Sequence, residues 1–329
     1  MTQEKIAQYY DALISATSAL AKDANISFTD ALIEVIEDIN SQHVHRELDK
    51  PSIDITKEIQ SVVDLDWSSS SSSDKRKVLQ LAILKANRED KTPINYQITP
   101  DGIGYLMADF ISQTASLQND DMIIDMTIGS GNLLWTIDEM IDVQLKRIGI
   151  DNDETQLAIV AAADEFINND ETTLYQEDVV GIKDGPKAKA VIADLPIGYY
   201  PLQPDDSFTT KNNEDKSFVH HLMIEKALDF VANDGWVYLL VPANVLNGPE
   251  AKQLLKFVTS QAQLKAFLQL PNNFFKDSSS AKAILVLKKQ ANKNKEVLMG
   301  QYPSLKDIKA LQVFLQEIKA WVKLEKEQE

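Results

Sequence analysis

Met122-Ile-Ile-Asp125-Met-Thr-Ile-Gly129-Ser-Gly131-Asn-Leu-Leu134 decides the fold. An apolar run ends in an acid, a glycine turn follows, and an amphipathic run begins. This is the pattern of a strand that turns into a helix. Glycine lets the backbone of such a turn approach a ligand closely. The helix N-terminus offers free N–H groups to a negative or polar group. Turns of this kind also serve only to reverse a chain, so the neighbouring runs must carry the argument.

The next apolar run ends in Gly149-Ile-Asp151-Asn-Asp153, which places Asp151 26 residues after Asp125. An acid at the end of a second strand is positioned to hold both hydroxyls of a ribose. NAD, FAD and S-adenosylmethionine all satisfy that logic. The third run ends in Glu177-Asp178, where a carboxylate can accept a hydrogen bond from an adenine amino group. A single acid can simply solvate a loop end. Three successive strands each ending in one make a more specific pattern.

The alternation continues outward. Apolar runs at Met122–Met126, Arg147–Ile150, Thr172–Tyr175, Ala190–Ala193, Trp236–Val241, Leu264–Leu268 and Ala283–Leu287 alternate with helical patterns near 131–141, 154–166, 218–232 and 250–260. Strands alternating with helices predict an α/β fold, a Rossmann-like, doubly wound, mostly parallel sheet. Ligands of such sheets sit at the carboxyl ends of the strands.

The first ninety residues read differently. Ile6, Tyr9, Tyr10, Leu13, Ile14 and Leu20 recur at helical spacing. Ser27, three residues before Asp30, reads as the cap of a second helix through Ile39. Pro51 interrupts, and a shorter helix is expected over Ile53–Val63. The serine run Ser68–Ser73 has nothing to bury and reads as a flexible linker, followed by a helix from Asp74 to Ala86. These patterns divide the chain into an all-helical domain, 1–90, and an α/β domain, 91–329. Within the latter, Asp205–Lys216 is acidic and aperiodic and reads as a mobile loop. The stretch from Leu305 on reads as one helix packing through Leu311, Phe314, Leu315 and Ile318.

Composition bounds the partners. The 329-residue chain carries no cysteine, so disulfides and thiolate chemistry are excluded. No signal-peptide pattern and no long apolar stretch occurs, so a cytoplasmic location and no membrane span are expected. The four histidines, His43, His45, His220 and His221, show no metal-ligand spacing. His220 and His221 fall in a helical pattern, one expected inward and one outward. The net charge of −17 argues against an unaided grip on DNA, whose duplex is itself a polyanion.

At the fourth run a family resemblance appears. Ala190-Val-Ile-Ala-Asp194-Leu-Pro196-Ile-Gly-Tyr199-Tyr200-Pro201 resembles the Asp/Asn-Pro-Pro-Tyr/Phe motif of amino-methyltransferases. Tyr96-Gln-Ile-Thr99-Pro100 is similar to the Thr-Pro segment that precedes the cofactor motif in gamma-ordered N6-adenine enzymes. The stretch from Asp125 to Leu134 resembles their Asp-Pro-x-x-Gly-Ser-Gly-x-Leu motif, with Met126 in place of proline. Asn233 to Leu246 is similar to the strand and turn that follow in those enzymes, and Leu270-Pro-Asn-Asn-Phe-Phe275, followed by Ala283–Leu287 and Lys288-Lys289, resembles the last strands of the type I restriction-modification methylation subunit. The likeness runs in order from Asn95 to Lys289. Stand-alone adenine-methylase-like proteins of low-GC Gram-positive bacteria resemble the chain further, through the Asp-Leu-Pro-x-Gly-Tyr-Tyr-Pro variant and a helical N-terminal domain.

The resemblance implies S-adenosylmethionine as cofactor and adenine N6 in DNA as methyl acceptor. It implies that Thr99, Pro100, Asp125, Gly129 and Gly131 hold the cofactor's methionine end, Asp151 its ribose and Asp178 its adenine. It implies that the Asp194 side chain and the Leu195 carbonyl accept the two hydrogens of the substrate amino group, with Pro196 retained beside them. That arrangement favours a tetrahedral nitrogen and aims its lone pair at the methyl sulfonium, by positioning and electrostatics. Ile197 departs from the pattern, because the family places an aromatic there to stack on a flipped base. Such stacking is worth about 1–3 kcal/mol per base. Tyr199 or Tyr200 can replace it, or both can pack on the helical domain. No target-recognition domain is evident, so a partner that reads sequence is expected. Lys288, Lys289, Lys293 and Lys295 form a small basic patch that can touch phosphate or simply be solvated. Two other readings stay open. One is a catalytically weakened cofactor-binding protein that acts through interactions. The other is methylation of RNA or a protein amide.

Overall fold

Thr2, Ser27 and Ser71 start three helices by the same device. Each side-chain oxygen accepts a hydrogen bond from the N–H three residues on: Lys5 at 3.2 Å, Asp30 at 2.9 Å and Asp74 at 3.2 Å. The helices they start are α1 (Gln3–Ala24), α2 (Phe28–Ser41) and, after α3 (Ile53–Val63), α4 (Ser72–Glu89). The computed structural model describes residues 2–46, 50–93, 96, 98–167, 172–248, 250–275, 280–290 and 296–327.

The serine run is therefore not a linker. Its first residues form a short 3₁₀ turn with Trp67, Ser70 is buried, and Ser71 caps α4. Serine suits the turn and the cap because its short side chain bonds the local backbone: Ser69 Oγ donates to the Asp66 carbonyl at 3.0 Å, and Ser71 Oγ accepts the Asp74 N–H. Ser71→Ala is expected to lower stability by about 1 kcal/mol. A chemical denaturation midpoint shifted down at unchanged slope would register it.

The remaining elements alternate: α5 (Asp101–Thr114), β1 (Met122–Asp125), α6 (Asn132–Met140), β2 (Lys146–Asp151), α7 (Glu154–Phe166), β3 (Thr173–Gln176), β4 (Ala188–Asp194), α8 (Val219–Phe230), β5 (Val231–Pro242), α9 (Ala251–Gln261), β6 (Gln263–Gln269), β7 (Lys282–Lys288), β8 (Leu298–Gln301) and α10 (Ile308–Glu327). The strands form one eight-stranded sheet in the order β3-β2-β1-β4-β5-β7-β6-β8. β1 pairs in parallel with β2 and β4, and β4 with β5. β7 runs antiparallel between β5 and β6, and β8 is parallel to β6. The expected Rossmann-like fold with a helical N-terminal region is the fold observed. The central strands are Val-, Ile- and Leu-rich without alternation, because helices cover both faces of such sheets. Ile123, Ile124, Val191, Ile192, Val237 and Leu239 are all fully buried.

The chain forms two compact units. One comprises Met1–Ile98 with Gly129–Asn132 and Asp153–Gln176; the other holds the rest. In the first, α7 packs with the N-terminal helices, and Asn40 donates to the Ala162 carbonyl at 2.9 Å. Trp67 sits edge-on between Tyr9 and Phe166, with ring centroids 4.5 and 5.0 Å away, and its indole N–H donates to the Val62 carbonyl at 2.9 Å. A buried indole with its one donor satisfied is a strong local anchor.

In the second unit several expectations change. Asp205–Lys216 is tied down: Phe208 is buried, and the N–H groups of Thr209 and Thr210 both donate to the Glu225 carboxylate at 2.9 Å. His220 and His221 are both buried, not one in and one out. The basic patch is structural where it is described. Lys288 is buried, its ammonium 5.2 Å from the centre of the Trp236 ring. The Lys289 ammonium donates to the Leu228 and Val231 carbonyls, closing the C-terminus of α8. Lys293 and Lys295 lie outside the described residues. The terminal helix packs through Ile318 as expected, with Leu311, Phe314 and Leu315 half-buried, and the face extends to Val322 and Glu325. Among the described residues, no helix is long and apolar enough to cross a membrane.

Candidate functional site

Three parallel strands deliver three acids to one edge of the sheet. Asp125 ends β1, Asp151 ends β2 and Asp194 ends β4. β1 lies between β2 and β4, so the chain order reverses here, which is where open α/β sheets bind ligands. A cleft opens beside these ends. Asp151, Asp178 and Pro196 line it, together with Thr127, Tyr200 and Met223.

Asp178 is held from two sides. Its carboxylate accepts the Val180 N–H at 3.0 Å through one oxygen and the Tyr200 hydroxyl through the other. Burial and the adjacent Asp178 carboxylate both raise the Tyr200 phenol, so it stays protonated and donates. Tyr200 is thus a buried support for the cleft wall, not a ring free to stack on a base. Tyr199 is 56% exposed and lies on the Phe218 ring, centroids 4.8 Å apart and 18° from parallel. The partners of both tyrosines, Asp178 and Phe218, belong to the same unit as the tyrosines themselves. Gly198 makes the turn possible, with φ at 138°, a conformation side-chain-bearing residues seldom adopt.

Asp125 is fully buried. One of its oxygens accepts the Thr127 N–H at 3.1 Å; the other has no partner among the described residues. Burial pushes its carboxyl up to about 8, opposed by the Thr127 N–H and reinforced by the Asp151 and Asp194 charges. The folded-state value lies above the ordinary 3.8. Its stabilising effect is therefore full in acid and is lost as pH rises through the folded value. Asp125→Asn is expected to flatten the dependence of stability on pH between about 4 and 8, measured by denaturation across that range.

Asp194 is held on three sides. Thr99 Oγ1 donates to Oδ2 at 2.8 Å, Thr127 Oγ1 donates to its backbone carbonyl at 3.2 Å, and the Lys282 ammonium donates to Oδ1. Lys282 also donates to the Leu195 carbonyl at 3.2 Å. Pro100 caps α5 and sets the exit from Thr99. Gly129 and Gly131 stand in the turn between β1 and α6 with φ of 49° and 85°, the left-handed region that favours glycine. These two group with the first unit, whereas the other predicted site residues belong to the second.

Lys282 and Phe218 were not anticipated. Lys282 heads an antiparallel strand, and its register opposite Pro242 returns it to the edge where the parallel strands end. A charge immediately before the apolar run 283–287 was the only signal in the sequence. Close by, burial lowers the His220 and His221 imidazoles to about 3 and about 4, with Lys282 adding to the effect on His220. Both are neutral at neutral pH. Among the described residues, no group of three His, Asp or Glu could hold a metal ion.

Comparisons with known proteins agree with this architecture. The N-6 DNA Methylase family matches residues 86–317, and the YtxK N-terminal helical domain matches residues 7–86. The uncharacterised protein YtxK of Bacillus subtilis is 29% identical over 332 residues, covering 99% of this chain and 100% of that one. A Listeria monocytogenes protein, provisionally described as a class I S-adenosylmethionine-dependent methyltransferase, superposes with a TM-score of 0.85. It is 26% identical, covering 98% of this chain and all of that one. The methyltransferase subunit of a Streptococcus thermophilus type I restriction-modification system shares the fold, with a TM-score of 0.65 at 14% identity. That match covers 95% of this chain and 74% of the subunit. The cofactor is S-adenosylmethionine, and the chemistry of the cleft fits it: the lining carries carboxylates that can accept from hydroxyl and amino groups, and apolar side chains from Val179, Val180 and Met223. The chain belongs to the N-6 DNA methylase family, as an S-adenosylmethionine-dependent methyltransferase.

Proposed function

We propose that this methyltransferase acts on the N6 amino group of adenine in DNA, in the cytoplasm and with a partner that supplies sequence recognition. One observation carries the reading. The Asp194 carboxylate and the Leu195 carbonyl converge on a single nitrogen, here that of Lys282. Two oxygens so placed can accept both hydrogens of an exocyclic amine.

The roles follow from position. Asp151 holds the cofactor's ribose and Asp178 its adenine, in the orientation Tyr200 and Val180 impose. Thr99, Pro100, Asp125, Gly129 and Gly131 serve the methionine end. When bound, the cofactor supplies an electrophilic methyl group. Asp194 and Leu195 draw the amino hydrogens into hydrogen bonds, which keeps the nitrogen lone pair out of the ring and available. Thr99 fixes the carboxylate plane by its bond to Oδ2. The proton released on transfer can pass to the Asp194 carboxylate. Pro196 lines the cleft beside them.

Tyr199 takes the stacking role that Ile197 cannot fill, with Phe218 as its backing ring. Tyr199→Ala is expected to raise KM for DNA about tenfold with little change in affinity for the cofactor. The chain's charge of −17 supports the need for a partner, because a polyanion is repelled by most of the surface. The domain boundary we propose, near residue 90, leaves the helical domain as the module that can receive that partner. The test is transfer of labelled methyl from S-adenosylmethionine to unmethylated bacterial DNA, duplex and single-stranded. Label in DNA is expected, more in single strands, where no base must be flipped. Label in protein or RNA but not DNA would overturn the adenine reading. The absence of an aromatic side chain at Ile197 favours a second reading, a cofactor-binding interaction protein. Turnover by the purified chain would remove it.

A further inference from the structure

The seat for an acceptor amine is filled by the chain itself. Lys282 Nζ donates to Asp194 Oδ1 and to the Leu195 carbonyl, while Thr99 occupies Asp194 Oδ2. Neither oxygen of the carboxylate is left without a donor. We infer that Lys282 is a specificity-determining occupant of this seat, and that a substrate amino group reaches Asp194 only by displacing it. The inference rests on the reading of Asp194 and Leu195 as the amine-orienting pair.

The arrangement is built, not incidental. Lys282 is fixed by its backbone: it opposes Pro242 in the β5–β7 ladder, and its carbonyl accepts the Leu270 N–H at 3.0 Å. Only the side chain is free to move, and its four-carbon stem is long enough to withdraw the ammonium. Both ends of the ion pair are about four-fifths covered, with side chains 19% and 21% exposed, so the pair is only partly screened by water. An ammonium ion paired with a carboxylate has no lone pair to offer, so Lys282 excludes other amines without itself accepting methyl. The buried, neutral His220 stands near enough for Lys282 to lower its basicity further. It offers no second anion to the ammonium, whose carboxylate partner among the described residues is Asp194. An incoming amine must replace a charge-assisted hydrogen bond by a weaker neutral one. Amines that bring further contacts, such as a stacked base, can meet that requirement, and a small free amine cannot.

Two measurements on the full-length protein test this. The first is the rate at which an N-hydroxysuccinimide ester acylates Lys282, read by peptide mass spectrometry against the exposed Lys57. Lys282 is expected to react about tenfold more slowly than Lys57 and to approach its rate in Asp194→Ala. The second is methyl transfer from labelled S-adenosylmethionine to the separated DNA, RNA and protein fractions of a bacterial lysate. Lys282→Met is expected to transfer about tenfold more label than the parent. Thermal melting confirms that the variant is folded. Should Lys282→Met melt well below the parent, Lys282→Gln, which keeps a donor of similar length without the charge, is read in its place. The fraction that carries label decides the adenine reading separately: label confined to protein removes that reading and leaves the role of Lys282 intact. Acylation of Lys282 at the rate of Lys57 would overturn the inference. So would equal, lower or undetectable transfer by the folded variants, or a methyl group found on Lys282 itself.

Discussion

Asp194→Ala is expected to reduce methyl transfer about a hundredfold or more while leaving affinity for S-adenosylmethionine nearly unchanged. The loss falls on the rate because the carboxylate's contact with the amine matters most as the nitrogen becomes tetrahedral. Removing one such preorganised group costs about 2.7–4 kcal/mol in other oriented sites. Asp194→Asn keeps an acceptor oxygen and is expected to lose about tenfold. Thr99→Val, which frees one carboxylate oxygen, should fall between the parent and Asp194→Asn. Single-turnover kinetics with calorimetric cofactor binding separates the rate from the affinity. An Asp194→Ala variant that transfers methyl at the parental rate would remove Asp194 from the chemistry.

Lys265→Ala is expected to destabilise the protein by about 3–5 kcal/mol, the largest stability effect of any single change considered. Lys265 lies on β6 with its side chain 1% exposed, and its ammonium pairs with Glu325 of α10. Glu325 is itself buried. Removing the lysine leaves a carboxylate in an apolar place without a counter-ion. The double replacement Lys265→Met with Glu325→Leu leaves no orphaned charge and is expected to be about neutral. Chemical denaturation of the two variants side by side checks the account. A single variant that loses no more than an exposed ion pair does, about 1 kcal/mol, would show that water reaches the site.

The α/β core was legible because its strands are buried on both faces and read as continuous apolar runs. α3 and α7 fall on the bounds their patterns predict, since each has a clear start signal. Asp153, for example, accepts the N–H groups of both Thr155 and Gln156. α5 was not legible. Gly102 and Gly104 argue against a helix, yet Gly104 is there for packing: a Cβ would lie 2.6 Å from Thr136 Cγ2. β8 is a short edge strand in which Gly300 leaves room for the Phe314 ring. Neither close approach leaves a local mark in the sequence.

The same division holds at the site. Asp125, Asp151, Asp178 and Asp194 were visible because each ends a strand or follows one directly. Lys282 was not, because only the reversal of β7 brings it back to that edge. Tyr199 and Tyr200 are adjacent in sequence and have opposite fates. The Tyr199–Phe218 bridge turns the first outward, and Asp178 draws the second in. A serine run looks like a linker until the 3₁₀ turn at Trp67 and the cap at Ser71 give its hydroxyls something to bond.

The most direct test of the central claim is to identify the methylated nucleoside. Unmethylated bacterial DNA is incubated with the full-length protein and S-adenosylmethionine, digested to nucleosides and examined by mass spectrometry. The account predicts N6-methyldeoxyadenosine that depends on both cofactor and Asp194. Methyl groups confined to another base, or adenine left unmodified while label enters protein, would contradict it.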